Sequence, residues 1–205
     1  PEDLCIRITV ANRGPDAATL SGQPSRIQSA FVSGSGGYSL LLDPDRKQQV
    51  AIPNSEDTSR PDAVTVCGLF ASLQPISAAT YHGLFAKRKT DPGNNTNYGI
   101  NFTPASNVLQ VYVNDGTGFK AAHYSAKDTI GYRRRVQLTM CMDNGDAPAA
   151  DADADADDIR IRLFVNGQPA TPTAATGGLI EGAVAWLQDV TLAKCVSDTP
   201  LTIGS

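Results

Sequence analysis

At 205 residues, 41% hydrophobic, with 18 Gly and 13 Pro, the chain is long enough for one large β domain, and its short apolar runs between turn residues point to an all-β globule. The net charge of −4 is unevenly spread: residues 143–158 hold seven Asp and no basic residue, leaving a nearly neutral body with no electrostatic case for nucleic acid. The longest nearly apolar run, Val64 to Leu73, falls well short of the ~20 residues that a membrane span needs, so no transmembrane helix is expected.

Leu4 to Val10 alternates as a strand and ends in a turn at Asn12-Arg13-Gly14-Pro15-Asp16. Residues 21–37 read as loop, interrupted at Ile27 to Val32. The cluster Gly34-Ser35-Gly36-Gly37 lacks the Lys and the helix of a phosphate loop. Tyr38 to Leu42 and Gln49 to Ile52 are strands about a turn at Asp43-Pro44-Asp45, and Val64 to Leu73 is a longer buried one. His82 to Lys87, Tyr98 to Phe102, Val108 to Val113 and Phe119 to Ser125 continue as meander hairpins. Residues 116–121 match G-x-G-x-x-A, but a strand pattern follows in place of a helix, so nucleotide binding is not expected.

Tyr132 to Met142 places Val136, Leu138, Met140 and Met142 on one face and Gln137, Thr139 and Cys141 on the other. The Asp/Ala tract 151–158 then predicts a loop between antiparallel strands, since like charges repel and no apolar residue repays ordering. Carboxylates make Ca²⁺ the one candidate cofactor, although the tract lacks the Gly turn and terminal Glu of an EF-hand loop. Ile159 to Val165 is the most legible strand: Ile159, Ile161, Leu163 and Val165 face a core, Arg160, Arg162 and Phe164 face away, and Asn166-Gly167 supplies a hairpin turn. Residues 171–178 read as a loop, 179–187 as one or two helical turns from the spacing of Ile180, Val184 and Leu187, and 189–196 and 200–203 as strands. The sum is a two-sheet antiparallel sandwich, with a closed barrel as the alternative.

Cys5, Cys67, Cys141 and Cys195 are too far apart for a C-x-x-C motif; they allow three disulfide pairings or serve as small buried apolar groups. Glu2, Glu56 and Glu181 are the only Glu residues and do not form the strand-borne pair of a retaining glycosidase, and no G-x-S-x-G is present. An enzyme is not expected.

Ser39-Leu-Leu-Leu-Asp43, Gln49-Val-Ala-Ile-Pro53, Val64-Thr-Val-Cys-Gly-Leu-Phe70, His82-Gly-Leu-Phe-Ala-Lys87, Tyr98-Gly-Ile100, Leu109-Gln-Val-Tyr-Val113, Arg162-Leu-Phe-Val-Asn-Gly167 and Leu201-Thr-Ile-Gly204 in this order resemble the laminin-G-like modules of the concanavalin A-like lectin/glucanase superfamily, over roughly residues 36–204. The resemblance implies a jelly-roll sandwich, non-catalytic, one module of a longer exported protein, and extracellular, cell-surface or periplasmic. It implies a glycan or protein ligand held by edge loops, with or without Ca²⁺. Residues 1–205 are then a single domain, with 1–20 as an N-terminal strand and turn added to a 21–205 body. Members of the family continue past the final Ile-Gly strand, so the Leu201–Ile203 edge is expected to need a cover, and Leu4 to Val10 is expected to be an integral strand. Residues 4–15 also look like a stretch from the N-terminal β domain of a family of processing α-glucosidases, without a catalytic group.

Sugar recognition needs aromatic platforms and amide or carboxylate groups on loops. The candidates are Asn94, Asn95, Asn97 and Tyr98, with Asp115 and Trp186 as further choices; ordinary packing is the alternative for Tyr98 and Trp186. A spacer or protein-interaction domain is the rival function.

Overall fold

The computed structural model describes residues 4–7, 19–21, 25–28, 38–42, 49–54, 62–72, 82–88, 96–103, 106–126, 135–148, 158–195 and 198–203. In chain order the strands are β1 (Leu4–Arg7), β2 (Thr19–Ser21), β3 (Ser25–Gln28), β4 (Tyr38–Leu42), β5 (Gln49–Ile52) and β6 (Ala63–Ser72). A meander follows: β7 (His82–Arg88), β8 (Thr96–Thr103), β9 (Val108–Asp115) and β10 (Phe119–Ser125). Then come β11 (Val136–Gly145), β12 (Asp158–Val165), β13 (Gln168–Ala170), β14 (Pro172–Thr176), β15 (Gly178–Glu181), β16 (Val184–Leu187) and β17 (Leu201–Ile203).

All pairings among the described residues are antiparallel and build two sheets arranged as a sandwich. The first runs β15-β16-β12-β11-β6-β1-β4-β3, with β13 folded back on β12; the second runs β14-β10-β9-β8-β7-β17-β5-β2. The strands form where residues alternate, because a pleated strand turns successive side chains to opposite faces. Thus Val136, Leu138, Met140 and Met142 are buried between the sheets, as are Ile159, Ile161 and Leu163, while Arg160, Arg162 and Phe164 are half-buried on the far side. The opposing sheet contributes Tyr98, Ile100, Phe102, Leu109, Val111, Val113, Ala122 and Tyr124 to the same core. Asn166 and Gly167 both take positive φ, 51° and 78°, and Val165 pairs with Gln168 across this turn, the tight connection that Asn-Gly favours.

β1 lies in the interior of the first sheet: Leu4 faces Leu42 of β4 and Ser72 of β6. Residues 8–10 are outside the described residues. The cover expected for the Leu201–Ile203 edge is not β1, which belongs to the other sheet: Leu201 pairs with Ile52 of β5 on one side and Lys87 of β7 on the other. Chain order misleads here, since the terminal segment inserts between two strands made far earlier.

Three local expectations are corrected. Residues 171–178 contain β14, which pairs with β10. Residues 179–187 are not helical: β15 and β16 form a hairpin pairing Ile180 with Ala185, and Gly182 in the turn takes φ 58°, which a glycine adopts freely and a helix does not use. Residues 189–195, the described part of the expected strand 189–196, are not a strand. Asp189 has φ 53°, and Leu192–Cys195 form one turn of 3-10 helix whose Leu192 N–H donates to Asn144 Oδ1 of β11 at 2.8 Å. A bond from another part of the fold thus overrides the local β preference.

Candidate functional site

The outer face of the second sheet carries a regular array of side chains on β8, β9 and β10. Register sets Asn101, Gln110 and His123 side by side in one row, Gly99, Tyr112 and Ala121 in the next, and Asn97, Asn114 and Phe119 in the third. Their sequence neighbours, from Tyr98 to Tyr124, are the core residues of the same strands. The period of two therefore assigns the amides, the imidazole and two aromatic rings to the face away from the core.

Tyr112 and Phe119 stack with ring centroids 5.9 Å apart and planes inclined by 23°. Tyr112 is buried and Phe119 is 46% exposed, so the pair offers one open ring backed by a held one. Gly99 provides the floor: a Cβ there would stand 2.8 Å from the Tyr112 hydroxyl and 2.6 Å from the Phe85 carbonyl oxygen, so the absence of a side chain is what lets Tyr112 lie across β8. Burial raises the Tyr112 phenol pKa, opposed by the nearby Arg88 guanidinium, so the hydroxyl is protonated and able to donate.

In the amide row, Asn101, Gln110 and His123 are all half-buried. Gln110 Nε2 and His123 Nε2 meet at 3.4 Å, a hydrogen bond when the imidazole holds its proton on Nδ1. Behind them, the Thr173 hydroxyl donates to the His123 carbonyl at 3.1 Å, tying β14 to β10. Planar amides that both donate and accept, two rows along the same face from an exposed ring, can grip an extended polyhydroxylated ligand by hydrogen bonds while the ring covers its apolar face.

The expected site residues are dispersed. Asn97 is on this array, but Tyr98, its neighbour on the strand, points into the core with 1% exposure, and burial raises its pKa to about 12. Adjacent residues of one strand cannot share a face, so the two never act together. Asp115 shapes the β9–β10 turn, accepting from Thr117 N at 2.9 Å, Thr117 Oγ1 at 2.7 Å and Gly118 N at 3.1 Å. Asn94 and Asn95 lie outside the described residues.

Trp186 is on the other sheet, 7% exposed, with the Arg160 guanidinium 5.8 Å from its ring centroid. Arg160 in turn holds Asp143 through Nε at 2.7 Å and Nη2 at 2.9 Å, and Arg162 Nη2 reaches the same carboxylate at 3.0 Å. Trp186 is thus buried and packed with this outer-face cluster of Arg160, Arg162 and Asp143, apart from the array on the second sheet. Asn101, Gln110, Tyr112, Asn114, Phe119 and His123, the other members of the array, lie on strands and not on the loops where sugar-binding groups are expected. The signal was present in the alternation of 97–102 and 109–114.

Among the described residues no group of three or more His, Cys, Asp and Glu could hold a metal ion; the Asp/Ala stretch 149–157 lies outside them. Cys67, Cys141 and Cys195 are free thiols, and burial pushes the Cys195 thiol up to about 12. No described helix is long and apolar enough to cross a membrane. The structure thus defines a class, an all-β protein of two antiparallel sheets in a sandwich with an amide and aromatic array on one outer face. Comparison with protein-family models, curated proteins and solved structures returned no match for this chain.

Proposed function

We propose that this protein is a non-catalytic carbohydrate-binding module, and that it binds sugar on the outer face of the second sheet. The observation that carries this reading is the Asn101–Gln110–His123 row on the same face as the exposed ring of Phe119, with Tyr112, on which Phe119 stacks, in the row between them. The Asn101 and Gln110 amides offer both donors and acceptors, which suits hydroxyls, and the exposed Arg88, in register with Asn97 on the same face, adds further donors. The finer architecture belongs to the same reading: a jelly roll of the concanavalin A-like kind, with the laminin-G-like motif order, one module of a longer protein acting outside the cytoplasm. The chain order that interleaves the two sheets, with β17 inserted between β5 and β7, supports it.

A glycan array followed by titration calorimetry tests this. At least one neutral glycan should be retained, and Phe119→Ala and Gln110→Ala should each weaken it by about tenfold or more, roughly 1.4 kcal/mol. Both positions are exposed or half-buried, so the variants should fold. Retention of no glycan, or unchanged affinity in both variants, would leave the domain as a spacer or protein-interaction unit.

A further inference from the structure

Lys87 is the one buried lysine among the described residues, with 0% exposure, in a row of core side chains at one end of the sandwich. Its strand neighbours across the ladder are Leu201 on β17 and Tyr98 on β8. Its Nζ reaches past β17 to the side-chain oxygen of Asn54, two residues beyond the end of β5, and it also meets the Thr199 carbonyl at 2.9 Å. Asp198, next in sequence to Thr199, is close enough to act on the ammonium electrostatically. An amine and a primary amide thus meet across β17, with the Asp198 carboxylate borne on the residue before the carbonyl that the amine also touches.

We propose that Lys87 and Asn54 are joined by an isopeptide bond that the folded chain forms by itself, with Asp198 as proton carrier. The lone pair of neutral Lys87 Nζ adds to Asn54 Cγ, and the carbonyl π pair moves onto Oδ1. A proton from Nζ passes through the Asp198 carboxylate to Nδ2. The C–Nδ2 bond then breaks as the carbonyl re-forms, and ammonia leaves. One C–N bond forms and one breaks, with no oxidant or reductant required.

The fold supplies what the uncatalysed reaction lacks. Burial pushes the Lys87 pKa down to about 8, against the opposing pull of Asp198, so neutral amine is present near neutral pH. The Thr199 carbonyl holds one N–H and restrains the amine beside the amide. Holding two reactants in contact replaces an improbable encounter by a unimolecular step. Asn54 itself is exposed, which gives ammonia a way out. The product would tie the segment after β5 to β7 across β17, locking a terminal strand that otherwise rests on two short ladders.

Intact-mass measurement of the full chain decides the matter. After incubation of the folded protein above the lysine pKa, the mass should be lower than the sequence mass by one ammonia. A tryptic digest should contain a branched peptide joining Lys87 to Asn54. Asn54→Ala, at an exposed position and checked for folding by circular dichroism, should keep its full mass, and Asp198→Ala should convert more slowly. A wild-type protein that keeps its sequence mass, gains the mass change of Asn54 deamidation, or loses ammonia equally in Asn54→Ala overturns the proposal.

Discussion

Asp158 opens β12 and closes the Asp-rich stretch, yet it is 4% exposed. Its Oδ2 accepts from Ala147 N and its Oδ1 from Asp189 N, each at 3.0 Å, so one carboxylate clamps the end of the β11–β12 hairpin, where Gly145 pairs with Asp158, to the segment that follows β16. Replacing Asp158 by Ala leaves two amide donors without their acceptor. Hydrogen bonds to a charged group contribute ~1.5–3 kcal/mol each. Because both are only part-buried and water can reach them, the lower end applies, giving a loss of about 3 kcal/mol for the pair. For a chain of this size, ~2–4 °C per kcal/mol converts that to a fall of roughly 6–12 °C in Tm. Urea unfolding followed by circular dichroism measures it, with Asp146→Ala, an exposed position, as the matched control expected to stay within ~0.5 kcal/mol of wild type. If Asp158→Ala unfolds with Asp146→Ala, the carboxylate is not a clamp and the reasoning fails.

Three further outcomes are expected. Replacing residues 148–157 by a short Gly/Ser link keeps the Gly145–Asp158 pair and should shift stability by no more than about 1 kcal/mol, since each halving of loop length alters closure entropy by ~0.6 kcal/mol; a large loss in thermal unfolding would mean that the tract contributes contacts, and a calcium titration would then be informative. Gly99→Ala should destabilise by ~1–3 kcal/mol, because its Cβ meets a backbone oxygen at 2.6 Å, and it should also weaken any ligand of the array; an unchanged melting curve refutes the close approach. The hydrogen bond from Arg160, aided by the charges of Arg160 and Arg162, holds the Asp143 carboxyl below its ordinary value of 3.8. Its contribution is therefore complete above that value and disappears as pH falls through the lower folded pKa. Asp143→Asn should flatten the acid limb of stability against pH below 3.8, and a limb identical to wild type would show that the pair carries no linkage.

Strands were legible in the sequence wherever a period of two ran for five or more residues, as at 136–142 and 159–165, because the pleat imposes that period directly. The Asn166-Gly167 turn was equally legible, since its two left-handed positions restrict which residues fit. The same period held the array: it sets Asn97, Asn101, Gln110, Tyr112 and His123 opposite Tyr98, Ile100 and Val111. What one strand cannot show is which strand lies beside it, and without the register of β8, β9 and β10 the amides form no row.

Tertiary structure alone decided the rest. Residues 179–187 carry helical spacing and still pair as a hairpin, because β16 finds β12 and gains a ladder that a short isolated helix lacks. The clearest case is the acidic stretch. In sequence its seven Asp are one like-charged run, and nothing local separates them. In the fold Asp143 meets two guanidinium groups, Asp158 is buried on two amide donors, and Asp146 stays exposed. A carboxylate's role depends on what other segments bring to it, and those partners lie 11 to 31 residues away in the chain.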